Sequence, residues 1–467
     1  MIMKKEYASP RGTELLCENL VNTCFGDLSE DNIRIFRDRL LDMIGCILGG
    51  AIVKENGYLE ERMMEWGGLG EAPVFASQGK RLPLPQAAML NAIKARSNDF
   101  GSMLFKVHSD AMPSHMGETL FPLSLTLADT FKTDGKAFIT NMVAAEDMMG
   151  RLLYTLPVRF PTDMQLISSA AAAVAGRYYG FNAKQMKDAL SYAATNATDP
   201  GDAYFDYSEE FKYHNGASAQ MGIMAAELVK GGWTGLKDPY FGRAGLISSK
   251  VKDDQYPPLY EKIFEDLGKV YYTETAFKLS PGGIPMTAIV QAGRKLHERL
   301  KHVYGTVSPD KIKAIHVYGA ENVYHGYYSN PFVRRNQINA LFAYRFAAVC
   351  AILYGGIKVS QVQTEYINAH AELLRLAEEA TMDVYRPADG HPKMKAVAEM
   401  KDGQQFGVEE NFFAMDRYPS KEDLTAKFRD QFDTYGKLPK ENADKIISLT
   451  ASVETLEDMR ELTELIY

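Results

Sequence analysis

The sequence predicts a mainly α-helical protein, in which a large all-helical domain carries an inserted α+β lid domain. Apolar residues recur with a helical period over most of the N-terminal half of the chain. Strand-like alternation begins only near residue 272, and a helical pattern returns in the C-terminal tail. We therefore expect residues 1–271 and 413–467 to form the helical domain, and residues 272–412 to form the lid domain.

The helical prediction is clearest near the N-terminus. Over residues 31–49 the apolar side chains largely follow a 3.6-residue period. Ser29 stands where a helix N-cap is expected, and Gly49–Gly50 is a suitable end. Two later stretches, 168–179 and 216–229, are rich in Ala, Ser and Gly. We expect them to form helices that pack closely, backbone to backbone, in the centre of the domain.

The α+β prediction depends on three segments. Lys311–Tyr318 alternates apolar and polar residues as a strand does. Lys393–Met400 and Gln404–Val408 flank an Asp-Gly turn, which predicts a β-hairpin. Asn339–Tyr354 is mainly apolar and predicts one helix between these strands.

The C-terminal tail reads as helix again. Ser420 is placed to cap a helix over residues 421–431, and Pro439 precedes a predicted helix over residues 442–465. Because this pattern resumes that of the first domain, we expect the tail to complete the helical domain around the inserted lid.

Composition excludes several classes of protein. The 467 residues are 46% hydrophobic and 24% charged, which suits a large buried core. A net charge of −8 argues against nucleic acid or an anionic membrane as the partner. The four cysteines have neither zinc-ligand spacing nor the number needed for a disulfide framework. With neither a signal peptide nor a membrane-length apolar run visible, we expect a soluble, cytoplasmic protein.

The stretch from Arg159 to Leu246 is the most informative part of the chain. Phe160-Pro-Thr precedes the first small-residue helix, and Lys212-Tyr-His-Asn-Gly precedes the second. Six further motifs follow one another in order: residues 39–50, 96–100, 115–122, 147–151, 342–356 and 418–428. Through these motifs the chain resembles the MmgE/PrpD family, whose best-known member is 2-methylcitrate dehydratase, over nearly its whole length.

The resemblance implies a fold and a class of reaction. Members pair a helical domain with an α+β lid, usually form dimers, and use no metal. Their site lies between the two domains, and they dehydrate, decarboxylate or epimerise small polycarboxylates. Such chemistry needs cations that hold carboxylates and a His or Lys that moves a proton. We therefore expect a homodimer that binds a small carboxylate, with no cofactor, no metal, no nucleic acid and no membrane.

His115 and Asp99 match a catalytic motif of the family. We expect His115 to act as a general base or acid and Asp99 to orient it. The simpler interpretation is a loop histidine that caps the next helix and an aspartate in a turn. Gly101 and Ser102 stand where the family has two further acids, so part of the motif is missing.

Lys212 and His214 are the other two candidate catalytic residues. They lie at the start of the second small-residue helix, where free N–H groups and the helix dipole attract anions. We expect Lys212 to hold a substrate carboxylate. The simpler interpretation is a solvated lysine and a core histidine.

Five residues depart from the family pattern or lie beside a departure, and we expect them to contact the substrate. Arg96, Phe160 and Met286 each stand where the family has a histidine, and Phe346 stands where a tyrosine is common. Tyr344 is close enough in sequence to replace that tyrosine, although a core position is the simpler interpretation. These replacements predict a substrate less charged or more apolar than methylcitrate.

The function predicted is that of a cofactor-independent lyase, a dehydratase or hydratase that removes a proton next to a carboxylate. An isomerase, epimerase or decarboxylase acting on a related acid is the first alternative. The second is a non-catalytic relative that binds a small molecule, which the lost polar residues favour.

Overall fold

The computed structural model describes residues 11–103, 105–156, 164–197, 203–251, 256–321, 326–412 and 418–467. The structure is 59% helical, and its sheets are small. The α+β region lies toward the C-terminus. The predicted mainly α-helical fold class is therefore confirmed.

Helices dominate the N-terminal part of the chain. They are α1 (Gly12–Asn22), α2 (Glu30–Gly50), α3 (Lys54–Trp66), α4 (Leu84–Arg96), α5 (Gly117–Phe131), α6 (Gly135–Tyr154), α7 (Met164–Tyr178), α8 (Ala183–Ala194), α9 (Ala203–Asp206), α10 (Glu210–Lys230) and α11 (Tyr256–Phe264). Two short antiparallel pairs lie among them, β1 (Ala72–Pro73) with β2 (Arg81–Leu82) and β3 (Phe105–Val107) with β4 (Asp110–Met112).

The later part of the chain mixes helices and strands before it returns to helix. Its elements are α12 (Thr287–Tyr304), β5 (Ile312–Gly319), α13 (Gln337–Leu341), α14 (Tyr344–Tyr354), α15 (Thr364–Ala369), α16 (Ala371–Glu379), β6 (Thr381–Val384), β7 (Lys393–Met400), β8 (Gln405–Asn411), α17 (Lys421–Tyr435), α18 (Glu441–Thr450) and α19 (Arg460–Thr463).

Helix α2 begins where its sequence predicts. The Oγ atom of Ser29 accepts a hydrogen bond from the N–H of Asn32, and the Asn32 side chain accepts one from the N–H of Ser29. This reciprocal cap satisfies N–H groups that a helix start leaves unpaired. The helix ends at Gly50, where a Cβ atom would lie 1.7 Å from the carbonyl oxygen of Lys94.

The two small-residue helices, α7 and α10, pack as predicted. A Cβ atom on Gly222 would lie 2.5 Å from the backbone carbon of Ala171, so the two backbones touch at this point. The Oγ atom of Ser168 donates to that of Ser218 at 3.0 Å. Small side chains thus allow the central helices of the domain to approach closely.

The segment predicted to form the lid contains a four-stranded sheet with the order β6-β5-β7-β8. Strand β5 is parallel to β6 and antiparallel to β7, and β7 and β8 form the predicted hairpin. The turn places Gly403 at φ +89°, a conformation that favours glycine. The predicted strand and hairpin are therefore confirmed.

The predicted helix over residues 339–354 is wrong in one respect, because it is broken into α13 and α14. The carbonyl oxygen of Leu341 accepts a hydrogen bond at 3.2 Å from the N–H of Gly283. The neighbouring Gly282 approaches the same carbonyl so closely that a Cβ atom would lie 2.5 Å from it. A partner distant in sequence thus accounts for the break.

The predicted helix over residues 442–465 is also wrong as a single element. Between α18 and α19, the carbonyl oxygen of Leu456 accepts from the N–H of Gly135, and the N–H of Met459 donates to the carbonyl oxygen of Thr133. The chain therefore leaves the helix to bond with the turn between α5 and α6.

The part of the chain that the structure describes forms two hydrophobic cores. One combines α1–α8, α10 and α11 with α17–α19, and the other combines α12–α16 with the four-stranded sheet and with Tyr204, Tyr207 and Phe211. The domain boundaries at residues 271 and 412 remain a prediction. Among the described residues, no helix is both long and apolar enough to cross a membrane.

Candidate active site

A set of buried charged residues lies where the two hydrophobic cores meet. Arg96 is the last residue of α4, Asp99 and His115 lie in the loop that follows, and Glu118 is in the first turn of α5. Lys278 joins them from a segment between α11 and α12. We call these five residues the charged cluster. Each side chain in it is at most 4% exposed.

Asp99 is the centre of the cluster. Its Oδ1 atom accepts from the Nζ atom of Lys278 at 2.7 Å and from Arg96. Lys278 also donates to the Asp99 carbonyl oxygen at 2.9 Å. Asp99 has φ +44°, which is unfavourable for a residue with a Cβ atom. The two bonds from Lys278 help to hold this strained backbone.

Lys278 is not among the site residues predicted from the sequence. Met103 and Ala276 pair as an isolated antiparallel bridge, with N–H to carbonyl distances of 2.8 and 2.7 Å. This bridge brings Lys278 next to the loop that carries Asp99. The pairing joins residues far apart in the chain. The only sequence signal for Lys278 was therefore the presence of a lysine in a mainly apolar stretch.

Glu118 was also missed, and it makes the closer contact with His115. The Nδ1 atom of His115 lies 3.0 Å from Oε2 of Glu118 but 3.9 Å from Oδ1 of Asp99. Arg96 lies 3.1 Å from the same Oε2 atom, and Oε1 accepts from the N–H of Gly101 at 3.0 Å. The spacing of His115 and Glu118, three residues apart at a helix start, was the available sequence signal.

The cations keep both buried carboxyl groups ionised. Burial alone would raise the pKa of Asp99, but Lys278, then Arg96 and His115, outweigh it and hold that pKa well below its usual range. Burial would likewise raise the pKa of Glu118, but Arg96 and then His115 lower it. Two carboxylates therefore face two permanent cations and one imidazole ring.

Arg96 connects the charged cluster to aromatic residues of the second hydrophobic core. Its guanidinium group donates to the Tyr204 hydroxyl at 3.2 Å and stacks 4.9 Å above the ring centre of Phe211. These two rings in turn contact Phe342, at 5.3 and 5.5 Å between ring centres. Arg96 thus links the cluster to these rings, with its charge matched by Asp99 and Glu118, and its contact with substrate remains a prediction.

Helix α10 contacts the cluster near its N-terminus. Besides Phe211, Asn215 donates to the His115 carbonyl oxygen at 3.3 Å. Between them, Lys212 is almost fully buried, and its Nζ atom lies 2.5 Å from the half-exposed carboxylate of Glu209. His214 is partly buried on the same helix. Convergence of Lys212 and His214 on the cluster remains a prediction.

Three of the remaining predicted site residues lie in the second hydrophobic core, the one that contains the four-stranded sheet. Met286, Tyr344 and Phe346 are buried there. The ring of Phe346 packs 5.0 Å from that of Phe332, and the ring of Tyr344 packs 5.2 Å from that of Tyr328. Their contact with substrate remains a prediction. Phe160 lies outside the described residues.

Asp99, His115 and Glu118 each offer a ligand atom, and these three atoms lie within 4.8 Å of one another, as in a metal site. However, Arg96 contacts both carboxylates, and Lys278 contacts Asp99 as well. A divalent ion would add a third cation to two acids that are already neutralised. The donor set therefore fits an ion-pair network better than a metal centre.

The N-terminal part of the chain matches a known protein family. The family model for the MmgE/PrpD N-terminal domain matches residues 14–258, slightly more than half of the chain and including Arg96, Asp99, His115 and Glu118. No curated protein sequence matches the chain significantly.

Proposed function

The chain belongs to the MmgE/PrpD family, and on that premise we propose that it is a cofactor-independent lyase that removes water from, or adds it to, a small carboxylic acid. The family match supports an enzyme of the dehydratase-like or related small-acid type. The observation that carries the finer proposal is the charged cluster. It holds an imidazole ring against an ionised carboxylate, with two cations 3.1 Å or less from the two acids.

In the proposed reaction His115 is the general base. It takes a proton from the carbon next to the substrate carboxylate, and the electron pair of that C–H bond forms the new double bond. The β-hydroxyl group leaves as water with the proton that His115 has removed, so His115 returns to its neutral form. A nearby cation stabilises the enolate-like charge that develops on the substrate carboxylate.

Lys212 is the proposed anchor for the substrate carboxylate. Its side chain is 5% exposed, whereas that of its partner Glu209 is 46% exposed. A substrate carboxylate could therefore displace Glu209 into solvent without leaving a buried charge unpaired. The position of Lys212 in the first turn of α10 adds the helix dipole to the anchor.

The charge balance of the cluster favours a substrate with few carboxylates. Arg96 and Lys278 are neutralised by Asp99 and Glu118, so these four ions leave no surplus positive charge for several substrate carboxylates. Together with Met286 and Phe346 in place of polar family residues, this supports a less charged or more apolar acid than methylcitrate, divergent from the standard dehydratase substrate.

Solvent deuterium incorporation tests the proposal. The protein would be incubated in D₂O with a panel of 3-hydroxy acids and 2-enoic acids that carry one, two or three carboxylates. Proton NMR and mass spectrometry would measure deuterium at the α carbon and interconversion of the two acid types. We expect both signals for at least one acid, with a preference for fewer carboxylates.

The same experiment separates the alternatives. Deuterium exchange or inversion without loss of water would identify an isomerase or epimerase, and release of CO₂ a decarboxylase. Ligand-dependent thermal stabilisation without exchange for any acid would identify a non-catalytic binding relative.

A further inference from the structure

Glu118 and Gly101 form a complementary pair in the charged cluster. A Cβ atom built on Gly101 would lie 2.5 Å from Cγ, 2.7 Å from Oε1 and 2.8 Å from Cδ of Glu118. Real Cβ atoms do not approach other heavy atoms so closely, so no other residue type fits at position 101 while Glu118 stays in place. The glycine does not supply an unusual backbone angle here, because its φ is not positive. It supplies space.

The carboxylate of Glu118 uses this space to make three contacts. Oε1 accepts from the N–H of Gly101, and Oε2 faces both Arg96 and Nδ1 of His115. All three contacts bring a donor to an ionised carboxylate, which can only accept. The contact with His115 is therefore satisfied only when Nδ1 carries the proton.

Asp99 reinforces this arrangement without replacing it. Its Oδ1 atom lies 3.9 Å from Nδ1 of His115, beyond hydrogen-bond distance, and already accepts from Lys278 and Arg96. Both carboxylates lie on the Nδ1 side of the ring. Their field and the hydrogen bond from Nδ1 favour the same tautomer.

We propose that Glu118 is a positioning residue that fixes the neutral His115 ring as the Nδ1–H tautomer, so that Nε2 carries the lone pair that accepts the substrate proton, and that Gly101 is required because it leaves room for the Glu118 carboxylate. In this chain Glu118 thus takes the part that the sequence assigns to Asp99. The catalytic consequence rests on the proposed function, but the tautomer does not.

The tautomer can be measured in the whole protein without a substrate. Long-range ¹H–¹⁵N NMR on ¹⁵N-histidine-labelled protein near pH 8 distinguishes the protonated ring nitrogen from the unprotonated one. A His115→Gln variant would identify the His115 signal among those of the nine histidines. We expect the Nδ1–H tautomer in the wild-type protein. The Nε2–H tautomer there would overturn the proposal.

Two single variants test the cause. Glu118→Gln keeps the size of the side chain but removes its charge, so the Nε2–H tautomer of His115 should appear. Gly101→Ala should produce the same change although neither His115 nor Glu118 is altered. Gly356→Ala is the matched control, because a Cβ atom there would meet nothing within 4 Å. A purely Nδ1–H signal in Glu118→Gln, or in Gly101→Ala, would overturn the role of that residue.

A double-variant cycle tests whether the two residues act together. In a Glu118→Ala background the side chain that collides with residue 101 is gone, so adding Gly101→Ala should change the His115 spectrum no further. A further change of the same size as in the wild-type background would contradict the steric coupling. This cycle and Gly101→Ala remain informative if Glu118→Gln fails to fold.

Catalysis provides a separate readout. On any acid that the wild-type protein turns over, Glu118→Gln should lower turnover by about 10²-fold or more, since a base in the wrong tautomer cannot accept the proton at Nε2. An unchanged rate would refute the catalytic role of Glu118. If no acid is turned over, the proposed function fails while the tautomer measurement still stands or falls by itself.

Discussion

At the scale of single residues, the candidate site is a set of buried charges that depend on one another. Asp99 keeps a strained backbone conformation and accepts from Arg96 and Lys278. Removing either cation would leave a buried carboxylate short of a partner, which commonly costs about 3–5 kcal/mol. The cluster is therefore expected to be rigid, as a preorganised catalytic site requires.

Lys212→Ala should mainly weaken substrate binding. If Lys212 holds the substrate carboxylate in the ground state, KM should rise by roughly 10- to 100-fold while kcat changes little. Steady-state kinetics on the best acid of the panel would measure both constants. Lys230→Ala, at the exposed C-terminal end of the same helix, is the matched control. A fall in kcat at constant KM would mean that Lys212 meets only the charge that develops in the transition state.

Part of the site could be predicted from sequence and part could not. Arg96, Asp99 and His115 lie together within a short stretch, and the structure brings them into one cluster. Lys278 reaches them only through the bridge between Met103 and Ala276. Because that pairing joins residues that are far apart in the sequence, periodicity and motif spacing do not reveal it.

At the scale of elements, an ion pair links helices α3 and α4. The Nζ atom of the buried Lys94 lies 2.9 Å from Oε2 of Glu60, and Lys80 and Ser77 also donate to that carboxylate. Burial would raise the pKa of Glu60, but Lys94 and the hydrogen bonds outweigh it and lower the pKa to about 2. Stability from Glu60 is therefore present above its unfolded pKa and is lost as the pH falls toward 2.

Glu60→Gln should make the protein less sensitive to acid. Between pH 4.5 and 2 the wild-type protein should lose up to about 3 kcal/mol more stability than the variant, because only the wild type must protonate this carboxylate. Urea unfolding midpoints measured across this range would test it. Parallel pH dependence of the two proteins would show that Glu60 does not contribute in this way.

The close packing of α7 and α10 gives opposite expectations for two helical glycines. Gly222→Ala places a Cβ atom 2.5 Å from the backbone of Ala171 and should destabilise the protein by about 1–3 kcal/mol. Gly57→Ala, at an exposed position in the first half of α3 with nothing within 4 Å, should instead stabilise it by about 0.5–1 kcal/mol. Urea unfolding measures both changes. Equal effects of the two substitutions would contradict the backbone contact.

Local signals predicted the elements well, and distant contacts caused the errors. Ser29 and Ser420 cap α2 and α17 by the reciprocal pattern that a sequence reveals directly. The break between α13 and α14 depends on Gly282 and Gly283, more than fifty residues earlier. Helix periodicity is a local property, so it cannot show where an N–H group that is distant in sequence donates a hydrogen bond to a helix carbonyl oxygen.

At the scale of the whole molecule, we propose a homodimer. Apart from the family, the support is three exposed apolar side chains on or just after α3: Tyr58, Trp66 and Leu69 are 66%, 70% and 74% exposed. Sedimentation equilibrium at micromolar concentration should give twice the chain mass of 52.1 kDa. A mass equal to that of one chain would refute the dimer.

We propose above that His115, held at the junction of the two cores, removes a proton next to a substrate carboxylate. The most direct measurement is the rate at which solvent deuterium enters that position of the best acid, in the wild type and in His115→Ala, with His391→Ala in an exposed loop as the control. We expect deuterium to enter about 10² to 10⁴-fold more slowly in His115→Ala than in the wild type, with an unchanged circular dichroism spectrum. Exchange at the wild-type rate in His115→Ala would contradict it.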